Sequence, residues 1–178
     1  MKTGFNSSRR QFFKVGVLGS ATLGIAACSN LLSRKSELCH DCEWLRTKER
    51  PILQAIIPVM LAGALPYKAE EHKTAVTEII KNFDYTVAHF PASVRDEIQQ
   101  LMWVLQSPVP RAVVAGVWGA WENVTEEDVR ALLDNWKNSG FDLLRVGYLA
   151  LHDLICGAWY SSPHAWQRIH YPGPPALT

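Results

Sequence analysis

The sequence predicts a single all-α domain. Three observations carry this. Apolar residues recur at helical spacing from Lys48 to Arg168, strand-type alternation is almost absent, and prolines and an Asn-Ser-Gly cluster divide the pattern into helix-sized lengths. About five to seven helices are expected. They follow a polar N-terminal stretch and end in an extended proline-rich tail.

The elements follow in order. Pro51 suits the first position of a helix, since it lacks an N–H that would be unsatisfied there anyway, and Ile52, Ile56, Val59 and Met60 follow at helical spacing. Pro58 is expected to kink or end that helix. Val76, Ile79, Ile80, Phe83 and Val87 form a second stripe. Val94, Ile98, Leu101, Met102 and Leu105 form a third, with Pro91 near its start. Pro108-Val109-Pro110 breaks the chain, and Ala112 to Trp118 is expected to form a short apolar helix. Thr125 is a good N-cap, with Glu126, Glu127 and Asp128 where the helix dipole favours negative charge. Val129, Leu132, Leu133 and Trp136 follow at i, i+3, i+4 and i+7, and Asn138-Ser139-Gly140 closes that helix. Phe141 to Ile155 is apolar nearly all round, which predicts the central buried helix. Ser162 as cap and Pro163 as first residue start a last short helix before Tyr171-Pro172-Gly173-Pro174-Pro175.

The N-terminus reads as a leader. Ser8-Arg9-Arg10-Gln11-Phe12-Phe13-Lys14 looks like a twin-arginine export signal, preceding an apolar run from Val15 to Ala27 that is too short to span a bilayer. Residues 1–27 are expected to be removed, 28–46 to form a tether carrying a CxxC pair, and 47–178 to form the helical domain. Ile25-Ala26-Ala27-Cys28 resembles a lipobox, in which Cys28 would be acylated and tether the chain to a membrane. The rival reading is a conventional cut after Ala26 or Ala27. The expected destination is the periplasm. The twin-arginine route carries folded proteins, often with a cofactor inside, yet the rest of the chain shows no recognisable cofactor site.

The full chain has 18 basic and 17 acidic side chains. Removing Lys2, Arg9, Arg10 and Lys14 leaves 14 against 17, a net charge of −3. That balance argues against nucleic-acid binding, which needs a basic face. No dinucleotide fingerprint, P-loop, nucleophile elbow or paired-carboxylate motif is present, and no catalytic residue is assigned.

Cys39-His40-Asp41-Cys42 has Glu43 where a c-type haem site would need histidine, and a zinc site would need two further ligands. In an oxidising compartment a disulfide is expected between Cys39 and Cys42, or from either to Cys156. His152-Asp153 reads as a core or rim histidine beside an acid, because neighbours on a helix point to different faces. Seven tryptophans suggest a binding surface, although most are expected in the core or at its rim.

The C-terminal segment, Gly157-Ala158-Trp159-Tyr160-Ser161-Ser162-Pro163-His164-Ala165-Trp166-Gln167-Arg168-Ile169-His170-Tyr171-Pro172-Gly173-Pro174, resembles the tail of the gluconate 2-dehydrogenase subunit 3 family. Leu53-Gln54-Ala55-Ile56-Ile57-Pro58 resembles its first helix, and the twin-arginine leader is common among members. Departures are Val59 to Leu65 in place of an acidic Pro-Gly-rich stretch, His170 where a small residue is common, and the Cys39/Cys42 pair. The resemblance implies a non-catalytic subunit that binds no cofactor itself. Its partner would be a large flavoprotein of the glucose-methanol-choline type, exported with FAD in place on this subunit's leader through the twin-arginine translocase, often with a cytochrome c subunit. Trp159, Tyr160, Trp166, Tyr171, Pro172 and Gly173 are the expected partner-binding residues. The alternative is a stand-alone exported lipoprotein holding a metal or redox cofactor through Cys39, His40, Cys42 and Cys156.

Overall fold

The computed structural model describes residues 37–173, and these are all-α as expected. The expected leader, including Ser8, Arg9, Arg10, Phe12, Phe13, Lys14 and the adjoining Cys28, lies outside the described residues, as do 174–178 of the tail. The helices are α1 (Arg50–Met60), α2 (Ala69–Ala88), α3 (Ala92–Gln106), α4 (Pro108–Pro110), α5 (Glu126–Lys137), α6 (Asp142–Tyr160) and α7 (Pro163–Arg168). The short α4 continues into a π turn, Arg111–Ala115, and a 3-10 turn, Trp121–Asn123, precedes α5. The only β pairing among the described residues is a single bridge between Leu38 and Arg46.

Helix α1 supplies a fully buried part of the core. Ile52, Leu53, Ile56 and Ile57 are all fully buried and form one broad face of a short helix. It packs against α2, α5, α6 and the 3-10 turn. Pro51 sits in its first turn and Pro58 inside it. The helix continues only to Met60 before Leu61 donates back to Ile57 at 2.9 Å. The second stripe is buried as its spacing predicts, from Val76 to Val87. In the third stripe Ile98, Met102 and Leu105 are buried, while Val94 at the start of α3 is exposed.

One departure follows the proline break. Ala112 to Trp118 is not a regular helix, because the π turn is stopped at Gly116 in the left-handed region (φ 68°) and Trp118 projects outward, 81% exposed. Two tryptophans tie this stretch to the helices around it. Trp121 donates its indole N–H to Leu105 O at 2.7 Å, and Trp136 donates to Val114 O at 2.9 Å. Thr125 then caps α5 as expected, its hydroxyl accepting from Asp128 N at 3.2 Å in a capping box.

The segment expected as a tether is folded from Glu37 onward. Cys39 and Cys42 form a disulfide, Asp41 takes a left-handed conformation between them, and Thr47 N donates to Glu37 O. The loop hangs on one carboxylate. Buried Asp84 of α2 accepts from Glu43 N at 2.7 Å, Trp44 N at 2.9 Å and Leu45 N at 2.6 Å. Three converging amides balance a charge that burial would otherwise penalise heavily. Replacement of Asp84 by Ala leaves those amides without an acceptor. Urea unfolding of Asp84→Ala is expected to show a loss of about 3 kcal/mol.

Glu49 is a second buried carboxylate in this region. Its oxygens accept from Arg46 N at 2.9 Å and from Gln99 Nε2 at 2.5 Å. Burial pushes its carboxyl above the ordinary value despite these bonds and the Arg46 charge. The native state therefore holds this proton more tightly than the unfolded chain. Its stabilising effect is complete below the ordinary carboxyl value and is lost as pH rises through the raised native value. Relative to Glu49→Gln, the wild-type chain is expected to lose stability across that window, read from urea midpoints at paired pH values.

Candidate partner-binding surface

Helix α6 packs against α1, α2, α5 and α7, but it is not buried all round as its composition predicts. Gly147, Leu151, Ile155, Ala158 and Trp159 face inward along one side. Gly147 permits this approach: a Cβ there would lie 3.1 Å from Cζ3 of Trp136. The opposite side is apolar and uncovered. Leu143 is 77% exposed, Val146 60%, Leu149 52% and Tyr160 55%, with half-buried Ala150 and exposed Gly157 between them. A 19-residue helix lying on a core can bury only one side, so an all-round apolar sequence leaves the other in water. No described helix is long and apolar enough to cross a membrane.

The tail residues extend this surface at its C-terminal end. Ser162 caps α7 by accepting from His164 N at 3.2 Å. The helix ends in a Schellman motif: Tyr171 N donates to Trp166 O at 2.9 Å, His170 N to Gln167 O at 3.4 Å, and His170 adopts φ 55°. The accompanying apolar contact is Trp166 against Tyr171, edge to face with centroids 6.0 Å apart. Trp166 also donates to Tyr160 O at 2.7 Å. Gly173, at φ 98°, passes so close over the Trp166 ring that a Cβ would come within 3.3 Å of it. The Tyr171-Pro172-Gly173 run is thus folded onto Trp166, with Tyr171 and Pro172 exposed.

One of the expected anchors moves inside. Trp159 is 3% exposed and belongs to the core, because it lies on the inward side of α6 beside Ala158. Tyr160, the next residue, points the other way. Adjacent positions on a helix are separated by about 100°, and the aromatic pair alone does not say which member is buried.

The cysteines and histidines separate into two places. Cys39 and Cys42 are joined, so neither sulfur is a free thiolate ligand, and Cys156, half-buried, has no disulfide partner among the described residues. Cys156 Sγ lies 3.7 Å from His152 Nε2, and His152 Nδ1 lies 2.9 Å from Asp153 Oδ1. Helical neighbours do meet here, against the expectation for His152 and Asp153. The chain has the order of a nucleophile triad, but burial and then the Asp153 charge push the Cys156 thiol up. That is the reverse of an activated nucleophile. His40 is exposed beside Asp41 at 2.8 Å. No group of three or more His, Cys, Asp or Glu able to hold a metal occurs among the described residues.

Sequence reasoning missed three buried polar residues, Glu49, Asp84 and Arg111. Asp84 lies directly after Phe83 within a buried apolar stripe, and that misplaced acid is a signal the spacing contains. Arg111 is buried with its Nε unpartnered and its guanidinium 5.9 Å from the Trp121 ring centre. It lies in the π turn that the periodicity does not forecast. A shallow cleft of about 420 Å³ lies between the α1–α2 connection and α7, lined in part by Tyr67, Lys68, His164 and Arg168. Arg168 is already committed there, donating to Leu65 O and Gly63 O.

The left-handed conformation at His170 is one that a side chain opposes and glycine does not. His170→Gly is expected to raise stability by about 1 kcal/mol, measured as a higher urea midpoint with unchanged helical circular dichroism. Compared with protein-family models, curated proteins and solved structures, the chain matches none.

Proposed function

We propose that this chain is a non-catalytic assembly and export subunit of a periplasmic FAD-dependent sugar or alcohol dehydrogenase. The observation that carries the reading is the joining of two sequence features in one chain: the Ser8–Lys14 twin-arginine leader and the Gly157–Pro174 tail that resembles gluconate 2-dehydrogenase subunit 3. The uncovered apolar side of α6 with Tyr160, and the Trp166–Tyr171 pair beside it, support it, because a subunit that accompanies a folded partner needs such a surface.

The physical logic is that FAD is loaded where the flavoprotein folds. The large chain then crosses the membrane as a folded body, and the small chain supplies the signal and holds on during transit. A cytochrome c subunit would complete the electron path, and acylated Cys28 would retain the assembly at a membrane. This chain's own role is to bind and to address; FAD and the redox chemistry belong to the partner.

Replacement of both leader arginines tests this. Arg9→Lys with Arg10→Lys is expected to strand this chain and the dehydrogenase activity together in the cytoplasm, read by fractionation and flavin content. Dehydrogenase activity that still reaches the periplasm would overturn the reading. One equivalent of metal per chain in the purified mature protein would favour the stand-alone lipoprotein instead.

A further inference from the structure

We propose that the outward side of α6 is covered by an apolar helix of a different protein that places a lysine or arginine opposite Asp153. This deepens the assembly reading above and rests on it for the partner's identity. The strip from Leu143 to Tyr160 runs about 26 Å at 1.5 Å per residue, a length that one helix of a partner matches. Along it Leu143, Val146, Leu149, Ala150, Gly157 and Tyr160 present carbon to solvent. Gly157 has open space around a would-be Cβ, so the partner's backbone can approach closely there.

Charge selects the occupant. The strip carries two charged residues, Asp142 and Asp153. Asp142 is already paired with Arg145 one turn along. Asp153 sits amid the apolar positions, its side chain 76% exposed, with only the neighbouring His152 bonded to it among the described residues. A second copy of this chain fits poorly. A two-fold antiparallel pairing of α6 with itself, centred on the strip, sets both copies of Asp153 beside the axis within an apolar seam. Two like charges withdrawn from water together oppose that dimer. A different chain with a basic residue at that point turns the same carboxylate into a register mark, and the Tyr160–Trp166–Tyr171 cluster lengthens the contact at one end.

Site-specific photocrosslinking of the full chain in its native host tests this. Benzoylphenylalanine is placed at Leu149, and at exposed Lys81 of α2 as the control. The expected result is an adduct from position 149 alone, to a different chain, on a helical peptide containing Lys or Arg. In the Leu149→benzoylphenylalanine background, Val146→Glu is expected to cut the adduct roughly tenfold and Asp153→Lys several-fold. Both sit on an exposed helix side, and circular dichroism melts of the purified variants should match wild type. Adducts only to a second copy, yields no higher than at Lys81, or yields unchanged by both substitutions would each overturn the proposal. An adducted chain of the expected kind that binds no FAD would leave this surface standing and remove the flavoprotein reading.

Discussion

Trp136 against Gly147 is the contact on which the arrangement of the second half of the chain depends. The indole is buried at the end of α5, and its N–H is held by the Val114 carbonyl of the π turn. A Cβ at Gly147 would lie 3.1 Å from Cζ3 of Trp136, so glycine lets α6 settle over that ring without pushing it aside. Once Gly147 faces Trp136, helical geometry sends Leu151, Ile155 and Ala158 inward on the same side. Leu143, Val146 and Tyr160 are then turned to solvent whatever their hydrophobicity. The surface we assign to a partner is therefore a consequence of how the core is locked.

Buried polar groups tie the rest of the body together. Asp84 gathers three amides of the disulfide loop, and Glu49 links the start of α1 to Gln99 of α3. Trp121 and Trp136 donate their indole N–H groups to the carbonyls of Leu105 in α3 and Val114 in the π turn. These contacts join residues distant in sequence, which a helix ladder cannot do. They turn a set of amphipathic helices into one specified packing.

The tail shows how a short motif can be both internal and external. Tyr171-Pro172-Gly173 follows a helix that must end at Arg168, and His170 in the left-handed region makes that turn possible. The turn lays Gly173 on the Trp166 ring and leaves Tyr171 partly in water. The aromatic residues thus first organise the end of the chain and then offer what remains exposed. That is consistent with docking by a preformed surface, which loses little freedom on binding.

Sequence alone determined what depends on local chemistry: the all-α class, the buried stripes of α2 and α5, the caps at Thr125 and Ser162, and the break at Pro108–Pro110. Each follows from spacing along one helix or from a residue's own backbone preference. Tertiary structure decided what depends on neighbours. It left one side of α6 in water, buried Trp159 while exposing Tyr160, folded residues 37–46 onto Asp84, and set Cys156 beside His152. A helix that is apolar all round carries no sign of which side will be covered. That is settled only by where another element leaves room, here above Trp136 at Gly147.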